Sequence, residues 1–363
     1  MLIAPAGRLK SLDIFRGVTI AAMILVNNPG SHADSYGPLL HAKWDGWTFT
    51  DTIFPFFLWI VGVALTLSTA KRVERGEGRG QLLTHTVRRA AILFGLGLFL
   101  SLSPDFHWAG IRIPGVLQRI AVCYLIAFVI FRWTTWRGQI YWILGLNAVY
   151  LALMMLYPVP GCGAGSWTMD CNFARLIDGM LLDGHMWSAT KVWDPEGVIS
   201  TIPSISTVLF GILAGHVLRL AAAPLRKVGW FIGGGIGLVL AGEIMALWIP
   251  FNKALWTTPF VLLMAGLASI SFGVWYWVAD IRGWGGWLKP LEVFGLNAIA
   301  AYMIAGLVAD VNGMTGWGKW LHTNVCLSVA SPANASLLYA LANVAVAYAA
   351  VYLMYRRGWF LKL

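Results

Sequence analysis

The densest group of reactive side chains lies between residues 27 and 60. Two neighbouring amides, Asn27 and Asn28, precede Pro29-Gly30. His41 follows, then Trp44, Asp45 and Asp51, and Phe54-Pro55 closes the group. Histidine exchanges protons near neutral pH, a carboxylate can orient its ring, and an amide NH2 can donate to a developing oxyanion. Together these groups suit acyl transfer, with His41 as general base, Asp51 holding its tautomer and Asn27 stabilising the oxyanion. The same histidine also fits polar packing at a membrane boundary, so spacing alone leaves both readings open.

The elements that must position these residues are membrane helices. Of 363 residues, 58% are hydrophobic and 12% charged, and the mean hydropathy is +0.70, more apolar surface than a soluble core of this length absorbs. The apolar residues fall into runs of roughly 20, long enough to cross the hydrocarbon layer as helix. Spans are expected near 12–28, 50–69, 90–103, 114–131, 140–157, 201–220, 228–249, 256–279, 290–309 and 334–355. The expected fold is therefore all-α: a polytopic membrane protein of about ten transmembrane helices. No Gly-, Ser- or Pro-rich linker divides the chain, so residues 1–363 read as one transmembrane domain with long outer loops at 158–200 and 310–333.

A net charge of +10 raises nucleic acid as a partner, but the distribution of that charge argues against it. Of the 26 Lys and Arg, 18 fall in alternate inter-helix segments and the terminal segments, which the positive-inside rule assigns to the cytoplasm. The opposite side holds only Lys43, Arg112, Arg175, Lys191, Lys253 and Lys319. An N-in, C-in arrangement follows, with the bilayer rather than nucleic acid as the partner. The first apolar run follows Arg8 and Lys10, lacks a small-residue cleavage site and contains Asp13 and Arg16. It reads as a retained helix, not a cleaved signal.

Cys162 and Cys171 share the first outer loop, where oxidising conditions permit a disulfide; Cys123 is intramembrane and Cys326 lies in the second loop. No outer-loop thiol pair has zinc-type spacing with nearby histidines, so no metal is expected. Gly211/Gly215 and Gly233/Gly237 fit the small-xxx-small pattern of helix packing. Gly95/Gly97 follows no strand and is no dinucleotide loop. The tryptophans cluster near span ends as interfacial anchors, and those of the outer loops could also stack on sugars.

Charges inside a span need a partner or a function. Asp13 and Arg16, three apart, share one face of the first helix near its cytoplasmic end; they could cap the helix as an ion pair or form an anion site at the inner mouth. Arg119 sits beyond the first turn of the span that opens at Pro114-Gly115. With Gln118 beside it, it reads as a prepared polar surface rather than a residue snorkelling to the outer boundary.

Three blocks make the chain recognisable: Arg8-Leu-Lys-Ser-Leu-Asp13-Ile-Phe-Arg16-Gly17, His41-Ala-x-Trp44-x-Gly46 with Asp51 and Phe54-Pro55, and Arg112-Ile-Pro-Gly-Val-Leu-Gln-Arg119. Asp194-Pro-Glu196-Gly197 and Pro290-Leu-x-x-x-Gly295-x-Asn297-Ala extend the likeness almost to the end of the chain. The sequence resembles the heparan-α-glucosaminide N-acetyltransferase family, including its bacterial NagX-type members. The resemblance implies an inner-membrane enzyme that takes acetyl-CoA from the cytosolic side and acetylates the amine of a glucosamine-type sugar on the periplasmic side. It also implies a homodimer. His41 matches the family's catalytic histidine and Asn27 the asparagine beside it. The long N-terminal luminal region of the lysosomal enzymes has no counterpart here, which favours a smaller amino sugar over heparan.

Within that reading, Asp13, Arg16, Gln118 and Arg119 are assigned to the donor; Arg16 is the phosphate candidate among them, because nucleotide phosphates want basic groups at the inner mouth. Arg88 and Arg89 are better explained by membrane orientation. Asp194, Glu196, Asn297 and Trp44 are assigned to the acceptor, although Asp194 and Glu196 could equally fix the fold of their own loop. Direct transfer is preferred to an acetyl-His41 intermediate. A small-solute transporter would also suit intramembrane polar residues, but it would carry an internal repeat, and none is evident. An O-acyltransferase acting on a polysaccharide or glycolipid would use the same histidine and donor.

Overall fold

Helices form wherever the apolar runs occur, since in hydrocarbon the backbone must satisfy its own hydrogen bonds. The computed structural model describes residues 9–284 and 286–361. The helices are α1 (Lys10–Asn27), α2 (Phe49–Glu74), α3 (Arg79–Leu102), α4 (Val116–Trp133), α5 (Trp136–Leu156), α6 (Phe173–Leu181), α7 (Val198–Arg219), α8 (Pro224–Met245), α9 (Thr258–Trp275), α10 (Lys289–Leu296), α11 (Ala298–Thr315), α12 (Trp317–Leu321), α13 (Leu327–Val329) and α14 (Pro332–Arg356). A π-helical stretch, Tyr276–Ile281, prolongs α9, and another, His322–Cys326, joins α12 to α13. Among the described residues no strand forms, only an isolated bridge between Val159 and Gly163.

Among the described residues, nine of these helices, α9 taken with its π-helical extension, are long and apolar enough to cross a membrane. The expected first span is a helix of 18 residues, but it is not one of the nine, because Lys10, Asp13 and Arg16 lie within it. The large side chains that line the outside of α5 and α8, such as Leu144 (60% exposed), Leu240 (56%) and Ile244 (59%), are apolar. Only lipid makes such a surface tolerable in quantity.

Two expectations are corrected. The span expected at 290–309 is not continuous: the chain leaves helical geometry at Asn297 (φ −127°, ψ 38°), which separates α10 from α11. The apolar run hid this break because Gly295 and Asn297 are recruited by neighbouring segments rather than by lipid. The loop expected at 310–333 is largely helical, since α11 runs on to Thr315, stops at left-handed Gly316 (φ 69°), and α12, the π-turn and α13 follow.

The described residues fall into two compact units. One comprises residues 44–46 and 58–273, the other residues 9–43, 47–57 and 274–361. In the first, α2 crosses α7 at glycines. A Cβ on Gly211 would lie 2.0 Å from Trp59 O, and one on Gly62 2.0 Å from Val208 O. Gly215 meets Thr66 in the same seam. The expected packing of Gly233 and Gly237 is not found: among the described residues a Cβ on either would meet nothing within 4 Å, and α8 meets α9 through Gly235 and Gly266 instead. In the second unit, α1 packs on α10, α11 and α14. Here too the backbones touch, for a Cβ on Gly17 would lie 1.8 Å from Leu291 O, and one on Gly295 1.8 Å from Asp13 O.

Candidate active site

Asp51 lies in the first turn of α2, where the helix dipole and unpaired amides favour a carboxylate. It is 1% exposed. Its Oδ1 is 2.6 Å from His41 Nδ1, and its Oδ2 accepts from the amides of Ala42 and Thr48, each at 3.0 Å. The Thr48 hydroxyl, 3.2 Å from Oδ2, also donates to Leu40 O at 2.6 Å, and Thr50 Oγ1 donates to Pro38 O at 3.1 Å. These bonds fold the segment 38–42 back onto the start of α2. The buried carboxylate thus grips one nitrogen of an imidazole whose side chain is 53% exposed. With Nδ1–H directed at Asp51, the lone pair resides on Nε2, the nitrogen that can take a proton.

Asn27 is the last residue of α1 and is exposed. Its amide makes no hydrogen bond among the described residues, whereas Asn28 donates back to Ile24 O at 2.8 Å and so serves the helix end. The segment after them is clamped by α14: Gly30 N donates to Ser336 O at 3.3 Å, Ser31 N to Ser336 Oγ at 3.1 Å, and Tyr36 Oη to Asn334 Oδ1 at 2.7 Å.

At the other end of α1, Asp280 accepts from Lys10 N and Ser11 N, each at 3.0 Å, and so caps the helix. Asp13, 5% exposed, pairs with Arg16 at 3.3 Å, and Arg16 also donates to Gly295 O at 3.2 Å. Asn297 is spent structurally. Its Nδ2 donates to Trp359 O at 3.1 Å and its Oδ1 accepts from Leu361 N at 3.0 Å, which fastens the segment after α14 to the α10–α11 break.

The remaining expected site residues belong to the first unit. Asp194 is bound by Arg112 through both oxygens, at 2.9 and 2.7 Å, and Glu196 takes the same guanidinium at 2.5 Å. Asp194 also accepts from Trp187 N at 2.8 Å and Glu196 N at 2.9 Å. Burial opposes the charge on Arg112, but these two carboxylates outweigh it and hold the guanidinium proton more tightly than usual. Trp44 donates from Nε1 to Trp167 O at 2.9 Å and stands edge-on to Trp193. Gln118 fills the space beside Gly97 and Gly115, where any Cβ would strike its amide. Arg119, 2% exposed, donates from Nη2 to Gly197 O and Ser200 Oγ, and its guanidinium lies 5.3 Å from the Trp256 ring. Its Nε and Nη1 meet no acceptor among the described residues.

Sequence reasoning passed over Asp178, on the short amphipathic α6. It is 2% exposed and accepts from Asp194 N at 3.2 Å and Val198 N at 3.0 Å. Burial raises its pKa to about 6. Its only sequence signal was an acid on an amphipathic turn. The partner glycine is explicit in the structure, since a Cβ on Gly197 would lie 2.1 Å from Asp178 Oδ2. Cys162 and Cys171 are joined as a disulfide, with Cα atoms 5.7 Å apart.

A family model described as heparan-alpha-glucosaminide N-acetyltransferase, catalytic, matches residues 8–168, which include His41, Asp51, Asn27 and Arg119. The mouse and human proteins named heparan-alpha-glucosaminide N-acetyltransferase are each 30% identical to the chain, over 354 and 356 residues, covering 82% of it. The chain spans about half the length of these relatives, 53% and 52% respectively. With the matched stretch carrying the histidine–aspartate pair, and the likeness running through most of the helices, the chain belongs to the heparan-α-glucosaminide N-acetyltransferase family.

Proposed function

We propose that the protein is a multi-pass membrane enzyme that transfers the acetyl group of acetyl-CoA to the amine of a glucosamine-type sugar, with a cytosolic donor and a periplasmic acceptor. The observation that carries this reading is the His41–Asp51 pair, a half-exposed imidazole gripped through Nδ1 by a buried carboxylate. His41 Nε2 takes a proton from the sugar ammonium or from the attacking amine. The amine nitrogen attacks the thioester carbonyl, the Asn27 amide donates to the oxyanion, and the C–S bond breaks as the thiolate takes the proton held on His41 and leaves as the thiol. Asp51 acts through His41, holding the tautomer and stabilising the imidazolium.

Donor recognition is assigned to two basic groups, Arg16, which is partly exposed, and Arg119, which is buried. Arg16 keeps 23% of its side chain exposed beside Asp13, which suits a phosphate contact. Arg119 suits a carbonyl, because two of its buried N–H groups meet no acceptor among the described residues. Asp194 and Glu196 act on the acceptor through the shape of their loop, since Arg112 already occupies them. The biased charge distribution supports N-in, C-in insertion in a bacterial inner membrane.

The test uses purified protein in detergent with acetyl-CoA and glucosamine, following thiol release. Release should depend on the amine and be lost in His41→Ala and greatly reduced in Asn27→Ala. Absence of thiol release with any amine acceptor, together with solute uptake in proteoliposomes, would replace this reading with transport. Full activity in His41→Ala would overturn the site.

A further inference from the structure

The helical segment that stands where a second outer loop was expected carries a buried side chain that the proposed site leaves without a task. His322 opens the π-helical stretch after α12, is 9% exposed, and its Nε2 meets no hydrogen-bond partner among the described residues. A buried ring nitrogen left unpaired costs stability, and π-helical turns recur where a side chain has to be placed for function. The neighbours of the ring fix it against α14. Gly318, one turn earlier, lies so near α14 that a Cβ there would come 2.6 Å from Tyr339 Oη. The imidazole stands edge-on to the Tyr339 ring, centroids 6.2 Å apart, and Tyr339 Oη accepts from Asn312 Nδ2 at 3.3 Å. Cys326, one turn later, packs with Ala335 and Tyr339.

The edge of the ring then bears on Gly30. A Cβ on Gly30 would lie 2.2 Å from His322 Cδ2 and 2.7 Å from Nε2. Gly30 is not in the left-handed region, so the approach of the ring, and not the backbone conformation, excludes a larger residue there. Histidine, tyrosine and glycine all belong to the second unit, as does Asn27. The chain leaves α1 at Asn28 (φ −126°, ψ 52°), directly after Asn27, and the turn that follows is held between the bonds to Ser336 and the imidazole. His41 has its own anchorage on α2 through Asp51, Thr48 and Thr50. The turn therefore bears on Asn27 rather than on His41. We propose that His322 is a positioning residue for the oxyanion donor: its ring is the wall that sets the turn at 28–30, and through it the direction in which Asn27 presents its amide. The ring acts by contact, since Nε2 bonds nothing among the described residues. The proposal rests on the N-acetyltransferase reading and adds to it a residue far away in sequence.

The test is thiol-release kinetics of the full-length protein with acetyl-CoA and glucosamine. His322→Ala should lower kcat about tenfold or more. KM for both substrates should stay unchanged, because the contact it disturbs forms only once the oxyanion develops. Gly30→Ala, which drives a methyl into the ring, should do the same. Combining the two changes places that methyl in the space the ring has left, and kcat should recover several-fold over either change alone. On an Asn27→Ala background, His322→Ala should bring no further loss, since the group it positions is gone. General loosening of the fold would instead lower kcat again by the same factor. Should His322→Ala fail to fold, His322→Asn takes its place with the same pattern expected. Wild-type kcat in the histidine variant, no recovery in the combined variant, or a full further loss on the Asn27→Ala background would each overturn the positioning role and leave the activity standing. A wild type that releases no thiol with any amine would overturn both.

Discussion

His41 and Asp51 divide two properties that one residue cannot combine, exposure and a fixed, buried electrostatic environment. Substituting Asp51→Asn keeps the shape but presents an amide where a carboxylate held Nδ1–H. On the proposed activity, turnover should fall about 100-fold or more with the fold retained, as thiol-release kinetics and an unchanged melting curve would show. Asp178 gives a pH signature of a different kind. Its folded pKa of about 6 lies above the 3.8 usual for an aspartate in water, so the folded state binds the extra proton between those values. Its contribution to stability is therefore fully present below about pH 4 and lost as pH rises through about 6. Thermal unfolding between pH 4 and 7 should show this fall, and Asp178→Asn should flatten it. The His41–Asp51 pairing was legible in the sequence because both ends of the bond lie within ten residues. Asp178 was not, because its neighbours Asp194 and Val198 are 16 and 20 residues away, and only the folded loop turns an acid on a short helix into a buried one.

Apolar run length located most helices to within a few residues, because hydrocarbon thickness sets it. Where neighbouring backbones rather than lipid decide, run length is blind. Gly295 and Asn297 look like ordinary members of a span, yet one lets α10 touch α1 and the other ends α10. The small-residue pattern is similarly ambiguous: Gly211/Gly215 is a crossing point and Gly233/Gly237 is not, although both share the same spacing. Two substitutions separate these cases. Gly62→Ala places a methyl 2.0 Å from Val208 O and should cost about 2 kcal/mol or more. Gly237→Ala, open on its outer side, should be neutral or stabilising by up to about 1 kcal/mol. Melting temperatures in one detergent would compare them directly. In the outer loop, Arg112→Met strands the buried Asp194 carboxylate and should destabilise by about 3 kcal/mol. Replacing both Arg112 and Asp194 with apolar residues should cost less than the sum of the two single changes.

For the molecule as a whole, the charged first helix is the feature with the longest reach. The amides at its start are capped by Asp280, and Arg16 is held by Gly295, contacts that join residues 270 and 279 positions apart. A helix that carries Lys10, Asp13 and Arg16 leaves the ribosome well before those partners exist. Its insertion is therefore coupled to the end of synthesis: α1 should dwell at the translocon or the interface until the segment from Tyr276 to Gly295 arrives, and only then settle. In chains truncated after residue 273, a cysteine placed in α1 by Ser11→Cys should react with a membrane-impermeant thiol reagent, whereas in the full-length protein, where Ser11 is fully buried, it should be excluded. The order in which this protein enters the bilayer would then differ from the order in which it is translated.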